Sequence, residues 1–138
     1  MKKAFSASGP AAACPCGSGA AYAACCGRIH GGMPAPTAVQ LMRARYSAYV
    51  ARDDAFILAS WHASTRPSAL EPEQDPATRW LGLDVRHRTE QGDTATVEFV
   101  ARYKVGGRAH RLHEVSSFVR EAGAWWYVDG SFTKEEKR

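Results

Sequence analysis

Apolar residues recur at helical spacing from Val39 through Met42, Tyr46 and Tyr49 to Val50, and this period predicts a helix running to about Arg52. Thr37 followed by Gln40 fits a capping box at its start. Asp53 or Asp54 is placed to cap a second, shorter helix carrying Phe56, Ile57, Leu58 and Trp61. Residues 66–74 contain Pro67 and Pro72 and read as a loop, and residues 76–81 as one helical turn with Pro76 at its start. The period then becomes two. Leu83, Val85 and His87 open a strand that ends at Gly92-Asp93. Ala95, Val97, Phe99, Ala101, Tyr103 and Val105 share one face of the next strand, opposite Thr96, Glu98, Arg102 and Lys104. Gly106-Gly107 supplies a two-residue hairpin turn, a third strand runs over residues 108–120, and Gly123 leads into a fourth from Trp125 to Asp129. Helices first and an antiparallel meander after them predict an α+β domain.

The chain has 138 residues, 45% of them apolar, which suffices for one ordinary core with a short appended module. Residues 1–13 are small and polar and are expected to be a disordered tail. Residues 14–33 hold every cysteine, and residues 34–138 read as the globular part. No stretch is long and apolar enough to span a bilayer, so no membrane insertion is expected. Ala11-Ala12-Ala13 before Cys14 superficially resembles an export cleavage region, but residues 5–10 lack Leu, Ile and Val and supply no hydrophobic segment. The expected location is therefore the reducing cytoplasm, where cysteines bind metals more readily than they form disulfides.

The cysteines follow the pattern Cys-x-Cys, eight residues, Cys-Cys. Two close pairs from two chain segments meet the need of a metal for four thiolates, and Gly17 and Gly19 suit a chain turning tightly beside the ion. Disulfides are the competing reading, weakened because adjacent cysteines bridge each other poorly. Cys14-Pro15-Cys16-Gly17-Ser18-Gly19, Tyr22 and Cys25-Cys26-Gly27 together resemble the SEC-C motif found at the C-terminus of the SecA preprotein translocase ATPase. That resemblance implies Cys14, Cys16, Cys25 and Cys26 as the ligands of one ion, with His30 a spare neighbour. Zinc is the expected metal; iron suits the same soft ligands. A closed four-thiolate shell leaves no position for water, which argues for a scaffold rather than for hydrolysis and leaves enzymatic activity undecided, leaning against it.

The whole arrangement is similar to the YchJ family of bacterial proteins, through Arg45-Tyr46-Ser47-Ala48-Tyr49, Trp61-His62 with Ser64-Thr65-Arg66-Pro67, Trp80 with Gly82-Leu83, His113-Glu114 with Phe118, and Trp126-Tyr127 with Asp129-Gly130. The resemblance implies a SEC-C motif followed by a nuclear-transport-factor-2-like domain, a cone in which a curved antiparallel sheet wraps helices and leaves a cavity. Many members have Arg and Ser-Arg after the glutamate, where this chain has Val115 and Ser116-Ser117, and the second SEC-C motif that some carry is absent here.

The candidate cavity residues are Arg45, Tyr49, Trp61, His62, Thr65, Arg66 and Glu114. Arg66 is suited to an anion and His62 to moving a proton, although helix capping explains the same cluster more simply. His113 and Glu114 are neighbours on a strand, so only one faces the cavity, and strand parity alone does not choose. A His62–Glu114 pair is the one acid–base arrangement the residues suggest. The net charge of +4 is mild. Arg86, Arg88, Arg102, Lys104, Arg108, Arg111 and Arg120 form a basic surface for RNA, a ribosome or an acidic protein if they share the outer sheet face, and a solvated face otherwise. The leading expectation is a zinc-binding cytoplasmic adaptor or binding protein, monomeric or homodimeric. Its metal knob would make protein contacts and melt separately from a cone that holds a small ligand. A small enzyme using His62, Arg66 and Glu114 is the alternative.

Overall fold

The computed structural model describes residues 12–70 and 77–132; the expected tail lies almost wholly outside this range. A 3-10 turn, Tyr22–Ala24, and a short helix α1, Cys26–His30, make up the cysteine region. Two helices follow, α2 over Ala38–Ala51 and α3 over Asp54–Ala59. Four strands complete the chain: β1, Thr78–Gln91; β2, Thr94–Val105; β3, Arg108–Glu121; and β4, Ala124–Phe132. They form one antiparallel sheet in sequence order, β1-β2-β3-β4.

The helix ends follow the predicted chemistry. Thr37 Oγ1 accepts the Gln40 N–H at 3.1 Å and donates to Gln40 Oε1 at 3.2 Å. At the other end Arg52 takes the left-handed conformation, φ 58°, that more often falls to glycine, and lets the chain turn at once into α3. Asp53 caps α3 by accepting the Phe56 N–H at 3.1 Å. Gly106 and Gly107 both have positive φ, 58° and 87°, as a tight hairpin with matching twist requires.

The inner sheet face is the one the two-residue period predicted: Ala95, Val97, Phe99 and Ala101 are buried, and they lie opposite Phe118, Ser116, Glu114 and Leu112 of β3. Helix α2 packs against this face and is itself buried at Leu41, Met42, Ala44, Arg45, Tyr46, Ser47 and Ala48. At the far edge, the segment after α3 pairs with β4. The His62 N–H donates to the Tyr127 carbonyl at 2.7 Å, and the Tyr127 N–H donates to the Ser60 carbonyl at 2.9 Å.

The helical turn expected over residues 76–81 is not formed where the structure describes it. Thr78, Arg79 and Trp80 pair with Val105, Lys104 and Tyr103, so β1 begins at Thr78. A twelve-residue partner strand supplies a ladder that a single Pro-started turn cannot match.

The basic residues also part company. Arg102 lies opposite Arg111, and Lys104 is flanked by Arg79 and Ala109, on the outer face. Arg88 sits opposite the core residue Val97 and Arg108 opposite Val105, with the parity of the inner face. Arg86 and Arg120 are engaged with Asp84 and Asp93 at 2.9 and 3.1 Å. The seven do not form a single surface.

Candidate metal centre and cavity

The cysteine region is built by one small hairpin and one short helix. The Cys14 N–H donates to the Ala20 carbonyl at 2.9 Å, and the Tyr22 N–H to the Ala12 carbonyl at 2.8 Å. Between them Gly17 and Gly19 adopt positive φ, 81° and 92°, which brings the chain back within a few residues. Helix α1 then carries Cys26, with Cys25 at its cap. Gly27 is required here for space: a Cβ would lie 2.7 Å from the Tyr22 carbonyl oxygen and 2.9 Å from its ring.

The four sulfurs converge. All lie within 4.8 Å of one another, and Cys16 Sγ is 3.7 Å from Cys25 Sγ. Four thiolates at about 2.3 Å from a tetrahedral zinc stand roughly 3.8 Å apart, so the donor set fits one ion. Cys14, Cys16 and Cys26 are buried, and the cluster is not cross-linked by disulfides. Crowded together, the sulfurs compete for charge. A hydrogen bond from Cys14 pulls Cys16 far toward the thiolate, whereas hydrogen bonding within the cluster and burial hold Cys14 and Cys26 protonated. A bound dication would remove that conflict by favouring all four thiolates at once.

His30 is not a ligand. Its Nε2 donates to the Ala44 carbonyl at 2.8 Å, which fixes the tautomer, and its Nδ1 accepts from the Tyr22 hydroxyl at 2.7 Å. It ties the cysteine region to α2. Arg43 Nη1 does the same, donating to the Cys16 carbonyl at 2.8 Å, and Cys14 Sγ lies 3.6 Å from Ser47 Oγ. Cys14, Cys16, Cys26 and Ile29 belong to the same buried cluster as Met42, Tyr46 and Phe99. The metal region shares the molecule's core.

On the opposite side of α2, a cavity of about 280 Å³ opens between the helix and the sheet. Arg45 and Tyr49 reach it from α2, and Glu114 from β3, so three of the seven predicted residues line it. The strand register answers the question that parity left open: Glu114, with Leu112, Ser116 and Phe118, is on the inner face, and His113 is on the outer face, 2.7 Å from Glu98.

Trp61, His62, Thr65 and Arg66 do not line the cavity. Once the chain pairs with the outer edge of β4, its polar groups are used locally. Thr65 Oγ1 donates to the Val128 carbonyl at 2.6 Å, Arg66 Nε to the Trp61 carbonyl at 2.8 Å, and Trp61 Nε1 to Thr65 Oγ1 at 3.1 Å. His62 accepts the Ser64 N–H at Nδ1 and faces Glu121 through Nε2 at 3.0 Å. The His62–Glu114 pair does not form. Trp61 supports the cavity from behind, with Arg45 5.2 Å above its ring and Tyr127 5.0 Å away edge-on.

Within the cavity, burial raises the Glu114 carboxyl above its ordinary range, partly opposed by a 2.7 Å hydrogen bond from Ser116 Oγ and by the charge of Arg45. Burial likewise lowers Arg45 and raises Tyr49 and Tyr127. Burial is also the main cause that pushes Tyr46 up to about 12. Gly130 makes room for the acid, since a Cβ there would collide with the Glu114 carboxylate. Ser116, Tyr127 and Gly130 are site residues that the sequence reading did not select. Ser116 shares the parity of Glu114 two residues on, which is the signal that could have found it.

The chain is similar to known proteins in both of its parts. Residues 37–130 match the model of the YchJ middle NTF2-like domain, and residues 12–28 match the SEC-C motif. A UPF0225 protein of Ralstonia nicotianae is 59% identical over 145 residues, covering 96% of this chain and 100% of its own length. One of Methylibium petroleiphilum is 60% identical over 119 residues, covering 85% and 86%. Among solved structures, a SEC-C motif containing protein from Rhodopseudomonas palustris superposes with a TM-score of 0.75 at 32% identity, covering 87% of this chain and 98% of that one. A second, from Psychrobacter arcticus, gives 0.69 at 27% identity, covering 87% and 82%. A family match over most of the length, joined to a cysteine cluster of the right geometry, makes this chain a member of the YchJ family of UPF0225 proteins, with a SEC-C motif and an NTF2-like domain.

Proposed function

We propose that this protein is a zinc-stapled binding protein of the cytoplasm, in which the four cysteines hold one structural zinc and the cavity behind α2 receives a small molecule. The observation that supports this is the double use of α2. Arg43, Ala44 and Ser47 meet the cysteine region, while Arg45, Tyr46 and Tyr49 of the same helix line the cavity. A metal that fixes the first set positions the second. Zinc is favoured because a filled tetrahedron of thiolates is its usual structural site, with iron the competing soft-ligand metal. The cytoplasm is favoured because thiols persist there. Catalysis is not part of the proposal, because the acid–base pair that the sequence suggested does not form: His62 is engaged with Glu121 and not with Glu114. The exposed residues 17–20 are the part of the motif left for a protein partner.

Elemental analysis of the purified protein tests the staple, with one zinc per chain expected. Chelation should then shift the NMR resonances of Tyr46 and Trp80 in the cavity as well as those of the cysteine region. Absence of stoichiometric metal, or cavity resonances indifferent to chelation, would overturn the proposal.

A further inference from the structure

Among the described residues, the cavity is lined by a single buried cation. Arg45 is only 7% exposed, and its Nη1 donates to the Ile57 carbonyl at 2.8 Å and to Ser60 Oγ at 2.7 Å. Its guanidinium carbon lies 4.0 Å above the Tyr127 ring. Carbonyls, hydroxyls and ring faces ease a buried guanidinium but do not neutralise it, and among the described residues no carboxylate pairs with it inside 4.0 Å. Glu114, the acid lining the same cavity, is bound instead by Ser116 and lies opposite Phe99 and Phe132. Apart from Ser116 and the tyrosine hydroxyls the rest of the wall is apolar and aromatic, with Tyr46, Trp80, Phe99, Phe118 and Phe132 among its members.

We propose that this cavity takes a small aromatic monocarboxylic acid, its carboxylate received between the Arg45 guanidinium and the Glu114 carboxyl and its ring enclosed by the aromatic wall. The proposal deepens the binding-protein reading and rests on it. Guanidinium matches carboxylate in geometry as well as charge, and Arg45 keeps N–H groups beyond the one that meets Ile57 and Ser60. An amine would bring a second cation beside Arg45. A neutral molecule would leave the guanidinium unpaired. Two carboxyl groups at one site share a proton, so Glu114 must be in its acid form to donate to the ligand. The groups facing it favour that form on balance: burial and Asp129 raise its pKa, Arg45 and the hydroxyls of Ser116 and Tyr127 lower it, and Tyr49 stands nearby on α2. The proton is held between the two oxygens and no covalent bond changes. The cavity volume suits one ring with a short substituent rather than a steroid or a nucleotide.

The test is calorimetric titration of the full-length, metal-loaded protein with benzoate, benzamide and benzylamine. Benzoate should bind at least tenfold more tightly than the other two. Its affinity should fall by about tenfold for each pH unit above the folded pKa of Glu114, as one linked proton requires. Glu114→Gln, which keeps a donor but cannot ionise, should retain benzoate binding and lose the pH dependence. Arg45→Lys should weaken benzoate at least tenfold; Glu114→Gln stands as the independent arm if that variant does not fold. Benzamide or benzylamine binding more tightly than benzoate would overturn the carboxylate proposal while leaving the ligand cavity in place. Benzoate affinity that rises with pH, or that Glu114→Gln abolishes, would overturn it as well. If none of the three binds, the cavity reading falls with it.

Discussion

Single residues decide whether the two sites can exist. Gly27 is required for space against the Tyr22 backbone and ring, and Gly130 leaves the room that the Glu114 carboxylate occupies. Gly27→Ala is expected to cost about 1–3 kcal/mol of stability, as overpacking does, measured by denaturant unfolding. Gly130→Ala should displace the Glu114 side chain and shift its carboxyl resonance. His30→Ala removes both links of a bridging imidazole and should destabilise by about 1–3 kcal/mol. Glu114 supplies a pH prediction. Its folded pKa is raised, so its contribution to stability is fully present below its unfolded value and is lost as pH rises through the folded one. Glu114→Gln should therefore flatten the stability profile in that window, and a profile identical to that of the parent chain would contradict the assignment. At this scale the cysteines were legible because a pattern of four sulfurs has few other uses. Tyr127 was not, because its role depends on which strand lies beside which, whereas Ser116 was within reach through its parity with Glu114.

At the scale of elements, the capping and hairpin signals were sound. Thr37 and Asp53 cap the helices that their side chains predict, and Gly106-Gly107 turns the hairpin. What one sequence could not convey was partnership between distant segments. Trp80 enters β1 because Tyr103 lies across from it, and the segment from Trp61 to Arg66 leaves the cavity because Tyr127 offers it a strand edge. The cluster that combined an imidazole, hydroxyls and a guanidinium serves the turn in which it sits. Helix α2 carries the most consequence, holding the cysteine region on one side and the cavity on the other. Cys26→Ser, which removes one buried ligand, should abolish stoichiometric metal binding and also alter the α2 resonances of Arg45 and Tyr49.

For the molecule as a whole, the sequence suggested a metal knob that would melt apart from the cone. The shared core changes that expectation. Cys14, Cys16 and Cys26 pack in one cluster with Met42, Tyr46 and Val97, so a metal held by the cysteines would act on the entire fold. Metal binding to the folded form alone stabilises whatever unfolds cooperatively with it. The most direct test is differential scanning calorimetry of the metal-loaded protein with and without a tight chelator. A single transition that moves down in temperature as a unit when the metal is stripped is the predicted result. A sheet transition that stays in place while only residues 14–33 are lost would contradict the account.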